Sequence, residues 1–211
     1  GIKVGHRPPK RGSVPRGADL IEAHRSQPLS VLIRSVNKFS NNFMAEQILK
    51  TLDDAKPATY AGALKRVRGH VASVGVSPEG LLLGNGSGLY DNNRVAPAHM
   101  TTLLASVYAD FRIRADFLAS LAIMGVDGTT RSRLAETEAA GWIRVKTGTL
   151  DGISALSGYV GAKGRKPIVF SIFMNELPPG GTSSARDVQN RIVDILARHA
   201  SGRVLVDPDT E

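Results

Sequence analysis

The sequence predicts an α+β layered fold, an antiparallel sheet with flanking helices and a separate helical cluster. Three observations carry that expectation. Helical periodicity dominates the chain up to Met124. From Trp142 three β-rich runs follow one another, WIRVKTGT, ISALSGYVGA and PIVFSIFMN. One long amphipathic segment, Thr182 to Ala200, comes last.

The elements follow in order. Residues 28–52 place apolar side chains at Leu32, Ile33 and Val36, then at Phe43, Met44, Ile48 and Leu49, with Ser-Asn-Asn between the two groups, which reads as helix, short break, helix. Thr59 to Ser73 is a further amphipathic helix. After the turn SPEG, the run LLLGNGSGLYDNN reads as a short strand entering a loop rich in glycine and asparagine. The glycines at 84, 86 and 88 lack the strand-to-helix context of a dinucleotide fingerprint, so the loop reading prevails over a phosphate cradle. Ala98 to Arg112 and Ala115 to Met124 are helical by period, and Pro97 is placed to start the first. The three strands are joined by LDG and KGRK. In the last helix Ser184 and Asp187 resemble a capping box, and Val188, Ile192, Ile195 and Leu196 form the apolar stripe. Three strands make a thin sheet, so part of the fold is expected to lie outside this chain.

Composition narrows the function classes. With 211 residues, 42% hydrophobic and 22% charged, the chain has an ordinary globular make-up and can bury a substantial core. No stretch approaches the roughly 20 consecutive apolar residues of a membrane span. The absence of cysteine excludes disulfides and thiolate chemistry. The five histidines lack the spacing of a helical zinc site, so neither a metal nor another cofactor is expected. A net charge of +8 permits nucleic acid, anionic wall polymer or an acidic small substrate as partner. The basic residues are dispersed and not interleaved with aromatics, which argues against nucleic acid. Residues 1–27 read as a basic extended lead-in, and residues 28–211 as the body of the domain. The first residue is glycine, so the chain is expected to be a piece of a longer precursor.

Two motifs carry chemistry. Lys146-Thr147-Gly148-Thr149 sits inside a strand and offers an ammonium, two hydroxyls and a glycine that lets a ligand backbone approach. About a hundred residues earlier, Ser40-Asn41-Asn42 forms S-x-N. Ser35 and Lys38 also spell S-x-x-K, and on a helix they would lie about 5–6 Å apart. Ser40 follows by only five residues, however, whereas three elements must converge on an acyl centre from different directions. That crowding counts against Ser35 as a nucleophile, although the spacing itself permits the pairing.

The chain resembles the low-molecular-mass class C penicillin-binding proteins, serine-type D-alanyl-D-alanine carboxypeptidases and endopeptidases of bacterial walls. The resemblance runs from about Pro28 to Asn175 and rests on five segments in order: NKFSNNFMAEQILKTL, NGSGLYDNNRVAP, GVDGTTRSRL, VKTGTL and the two strands that follow. It implies a β-lactamase/transpeptidase-like fold, incomplete here, of which this chain is the C-terminal half. It also implies that Ser40 relays a proton to the leaving amine, and that Asn42 holds the absent lysine and the substrate amide. Lys146 is implied to supply positive charge. Thr147 and Thr149 are implied to bind a terminal carboxylate, Gly148 to let the peptide lie close, and the Thr149 N–H to serve as an oxyanion donor.

The implied partners are a peptidoglycan stem peptide ending in D-Ala-D-Ala, β-lactams as covalent inhibitors, and the missing N-terminal half. The implied location is periplasmic or otherwise extracytoplasmic. A non-catalytic peptidoglycan-binding module that keeps the fold is the alternative. Three departures stand out. Asn41 takes the place of an aspartate in S-D-N, Asn85 that of an aspartate before G-S-G, and Tyr90 that of a serine after G-S-G-L. The Asp127-Gly128-Thr129 stretch reads as a turn with its side chain bonded to backbone, and Glu46 as a helix-surface residue.

Overall fold

The structure, a computed structural model, describes residues 5, 8, 11–90 and 92–202. Of the lead-in expected over 1–27, residues 1–4, 6, 7, 9 and 10 lie outside these, as do Asp91 of the glycine-rich loop and residues 203–211. Residues 11–27 are exposed and carry no helix or strand.

Among the described residues the order is α1 (Leu29–Phe39), α2 (Asn42–Lys50), α3 (Tyr60–Ser73), α4 (Pro97–Ala109), α5 (Phe111–Ser120), β1 (Ala122–Ile123), a 3-10 turn (Gly128–Thr130), β2 (Ile143–Leu150), β3 (Ile153–Val160), β4 (Ile168–Met174) and α6 (Thr182–Ser201). The sheet is antiparallel throughout, in the order β1-β2-β3-β4. The α+β expectation holds, with one strand more in the sheet than the sequence indicated.

That strand replaces the end of an expected helix. Leu121 turns to an extended conformation (φ −71°, ψ 151°), and Ala122 and Ile123 pair with Val145 and Arg144. Periodicity in so short an apolar run cannot separate helix from buried strand, and the free edge of β2 decides the matter. The run LLL makes only an isolated bridge, Leu82 to Arg94. Pro97 does open α4, helped by His99, whose Nδ1 accepts from the Ala96 N–H at 3.1 Å.

The sheet lies between two helical layers. On one face Ile143, Val145, Leu156, Val160 and Phe170 pack with Val193 and Ala197 of α6. On the other, Tyr159 packs with Leu104 and Leu121, and its hydroxyl donates to the Leu104 carbonyl at 2.7 Å. A third cluster, Leu49 with Ala63 and Leu64, joins α2 to α3.

α6 corrects the sequence reading twice. Its buried line is Ala185, Gln189, Val193, Ala197 and Ala200. Val188, Ile192 and Ile195 of the expected stripe stay 37–48% exposed, and only Leu196 packs against the core. A glutamine on the inner line hides it from hydropathy. Gln189 is fully buried because both ends of its amide are bonded, to the Ser154 hydroxyl at 3.0 Å and from Arg133 at 3.2 Å. Gly181 is the N-cap and supplies no side chain, so the box expected at Ser184 and Asp187 does not form.

Candidate functional site

Ser40 stands at the corner between α1 and α2. It ends α1 in the left-handed conformation (φ 57°, ψ 49°), its N–H donating to the Val36 carbonyl at 2.8 Å. Asn41 then caps α2 by accepting the Met44 N–H at 2.9 Å. A non-glycine residue held at positive φ is strained, and it persists only where its neighbours fix it.

The neighbours are identifiable. Asn37 donates to the Ser120 hydroxyl at 2.8 Å, tying α1 to α5. Lys38 is buried and reaches Asp127 at 2.5 Å. Asp127 also accepts the Ile123 N–H at 2.8 Å. Burial would raise the Asp127 carboxyl, but the Ile123 N–H, the Lys38 ammonium and the charge of Arg144 outweigh it and hold the group below its ordinary value. The turn closes tightly because position 128 is glycine, at φ 60°; a Cβ there would lie 2.8 Å from the Lys38 carbonyl oxygen and 2.9 Å from Ala122 Cβ. Thr129 Oγ1 and Thr147 Oγ1 share a hydrogen bond of 2.9 Å, which links the turn to β2. The turn read from DGT is present, and it adds a brace to Lys38 that the sequence did not reveal.

On β2, alternation sends side chains to opposite faces. Thr147 and Thr149 share the face of Ile143 and Val145, toward α6; Lys146 and Gly148 take the other. Lys146 Nζ donates to Ser40 Oγ at 2.9 Å and to the Thr147 carbonyl at 2.6 Å. Burial lowers the Lys146 pKa below the usual 10.5. At Gly148, a Cβ would have one neighbour within 4 Å, Ala155 Cβ at 3.3 Å, so the missing side chain leaves space and not a packing contact.

Two cavities meet at this strand. The larger, about 960 Å³, lies between α1, α2 and the sheet, and its wall includes Ser40, Asn42, Lys146, Gly148, Ala155 and Phe173. The smaller, about 590 Å³, lies toward α6 and is lined by Ser40, Thr129, Thr147, Thr149 and Arg186, among others. The sequence-predicted residues Ser40, Asn42, Lys146, Thr147, Gly148 and Thr149 all line the larger cavity. An ammonium, hydroxyls and an amide thus surround one space, a set able to bind an anionic peptide end and move a proton.

A model of the D-Ala-D-Ala carboxypeptidase 3 (S13) family matches residues 5–199. The chain belongs to this family. It is 35% identical over 175 residues to a D-alanyl-D-alanine carboxypeptidase of Actinomadura sp. (strain R39), covering 78% of this chain and 32% of that protein. Among solved structures it is similar to penicillin binding protein 4 of Haemophilus influenzae, with a TM-score of 0.72, 26% identity and coverage of 82% of this chain and 41% of that one. The TLA-1 extended spectrum β-lactamase shares the fold at a TM-score of 0.55 and 14% identity, over 81% of this chain and 62% of that one. The S13 chain therefore spans about a third to two fifths of the carboxypeptidase relatives.

Two of the three departures of this S13 chain have physical readings. Asn41 is a helix cap, a role asparagine and aspartate fill equally well. Asn85 uses both ends of its amide, donating to the Leu89 carbonyl at 2.6 Å and accepting the Gly88 N–H at 2.8 Å. An aspartate could not make the first of these.

Glu46 is more than a surface residue. It accepts the N–H groups of Gly86, at 3.2 Å, and Ser87, at 2.8 Å, fastening the glycine-rich loop to α2. Burial would raise its carboxyl, yet bonds from the Ser87 hydroxyl and the two N–H groups, with the charge of Lys50, hold it below 4.5. No local feature of α2 signals this role, since its partners are 40 and 41 residues away. Ser35 donates to the Val31 carbonyl at 3.2 Å while Lys38 pairs with Asp127, so this S-x-x-K match is not a serine–lysine dyad.

Proposed function

We propose that the polypeptide carrying this chain is a serine-type D-Ala-D-Ala carboxypeptidase and endopeptidase acting on peptidoglycan stem peptides in an extracytoplasmic compartment. The nucleophilic serine and its lysine come from a segment outside this chain. The observation that carries the reading is the 2.9 Å contact between Lys146 Nζ and Ser40 Oγ, two groups 106 residues apart that meet on the wall of one cavity.

In the reaction, the serine oxygen bonds to the penultimate D-alanine carbonyl carbon as its proton passes to the neighbouring lysine. The carbon–nitrogen bond then breaks, and the leaving amine takes a proton relayed through Ser40. Water hydrolyses the resulting ester and restores the serine. A hydroxyl both donates and accepts, which suits Ser40 to the relay, and Lys146 keeps a positive charge beside it. Asn42 orients the incoming lysine and the substrate amide. Thr147 and Thr149 receive the terminal carboxylate, with Gly148 giving the peptide room. The Thr149 N–H stabilises the oxyanion, a contribution whose loss typically costs about 10²–10³ in rate. β-Lactams acylate the same serine.

The test is labelling of the natural polypeptide with a fluorescent penicillin, followed by mass mapping of the adduct. A covalent adduct on a serine outside residues 1–211, abolished by excess D-Ala-D-Ala peptide, is expected. Binding of that peptide with no adduct under any condition would show a binding module and end the enzymatic reading.

A further inference from the structure

We infer that Arg186, on the first turns of α6, is a substrate-binding residue that selects peptides ending in a free carboxylate over those with a neutral end. The inference rests on the proposed peptidase function, and it assigns a residue outside the S-x-N and K-T-G-T motifs.

The β2 wall of the smaller cavity carries Thr147 and Thr149 on the α6-facing side of the strand. Arg186 lines the same cavity and donates from Nη2 to Thr149 Oγ1 at 3.5 Å, the one hydrogen bond its side chain makes among the described residues. That contact is long, and a guanidinium has five N–H donors. Arg186 is exposed, so most of its donor capacity faces the cavity or solvent.

The second arginine of this wall is occupied. Arg133 donates to Asn190 at 2.7 Å, to Gln189 at 3.2 Å and to the Arg186 carbonyl at 3.4 Å, which fixes the loop after the 3-10 turn against α6. Burial first, and the charge of Arg186 second, pull the Arg133 pKa down to about 10. Two cations therefore share this wall, and among the described residues Asp187 is the one carboxylate lining the cavity. An incoming anion relieves that excess positive charge.

The geometry suits a carboxylate in particular. Its two oxygens can take the Thr147 and Thr149 hydroxyls on one side and the planar fork of Arg186 on the other. An amide end presents one oxygen and an NH₂ group, whose donors would meet the guanidinium donors. Lysine at this position keeps the charge without the fork.

The experiment measures turnover by the natural polypeptide of a peptide ending in D-Ala-D-Ala, as the free acid and as the C-terminal amide, for the unsubstituted protein, R186Q and R186K. In R186Q the acid-to-amide ratio of kcat/KM falls about 10- to 100-fold, the range that loss of one charge-assisted hydrogen bond carries. The change appears in KM for the acid, with the amide little affected. R186K recovers part of the ratio, and melting temperatures stay level because the side chain is exposed. An unchanged ratio in both variants, with penicillin labelling intact, overturns the role of Arg186 and leaves the proposed function standing. Absence of penicillin labelling in the unsubstituted polypeptide overturns both.

Discussion

Ser40 combines a strained backbone with the hydroxyl proposed to relay a proton, and the two can be separated by substitution. At φ 57° a glycine is unstrained, whereas alanine keeps the Cβ that makes this conformation costly. Ser40→Gly and Ser40→Ala should both lower turnover by about 10²–10⁴, the usual worth of a positioned proton relay. Ser40→Gly should melt higher than Ser40→Ala by about 1 kcal/mol of stability. Equal melting of the two variants would show that the corner is not strained.

Glu46 gives a pH prediction at the same scale. Its carboxyl sits lower in the folded state than its ordinary 4.5, so on acidification the unfolded chain takes up the proton first. The stability Glu46 contributes is therefore complete above 4.5 and lost as pH falls through the lower folded value. Thermal melts of the protein and of Glu46→Gln from about pH 6 to about pH 3 should converge on acidification. A constant gap across that range would contradict the assignment.

At the scale of elements, Lys38 and Asp127 brace α1 against the 127–129 turn next to Ser40, and neither lines the two cavities. Asp127→Asn leaves the buried Lys38 ammonium without its counter-charge, and a cost of about 1–3 kcal/mol is expected, reduced from that of a dry pair because Asp127 is partly exposed. The substitution should also reduce penicillin labelling more than its stability loss explains. Within the sheet, Gly158 is a point of close approach, since a Cβ there would overlap the Arg144 carbonyl oxygen and lie 2.9 Å from Val145 Cα. Gly158→Ala should cost on the order of 2–4 kcal/mol and displace Lys146 on the paired strand, measurable as a loss of both melting temperature and labelling.

At the scale of the molecule, Val188, Ile192 and Ile195 lie on one exposed side of α6, and β4 is the edge of the sheet among the described residues. An apolar helix stripe and an unpaired strand edge are association surfaces. The chain produced alone should self-associate at concentrations where a variant carrying Val188→Lys and Ile192→Lys remains monomeric by light scattering. Identical behaviour of the two would place the association elsewhere.

The sequence alone specifies the layered fold class, the helix–break–helix around Ser40 and the strand bearing Lys146 to Thr149. These depend on periodicity and on short motifs whose residues act within a few positions of one another. It did not determine β1, because two residues follow whichever edge is free. It misplaced the inner face of α6, because Gln189 is buried only once Ser154 and Arg133 are brought to it. Tertiary structure alone decided the partners of Glu46, Lys38 and Arg186, which lie tens of residues away along the chain. A pairing of that kind leaves no periodic trace, since its energy comes from burial and direction that exist only after the layers have packed.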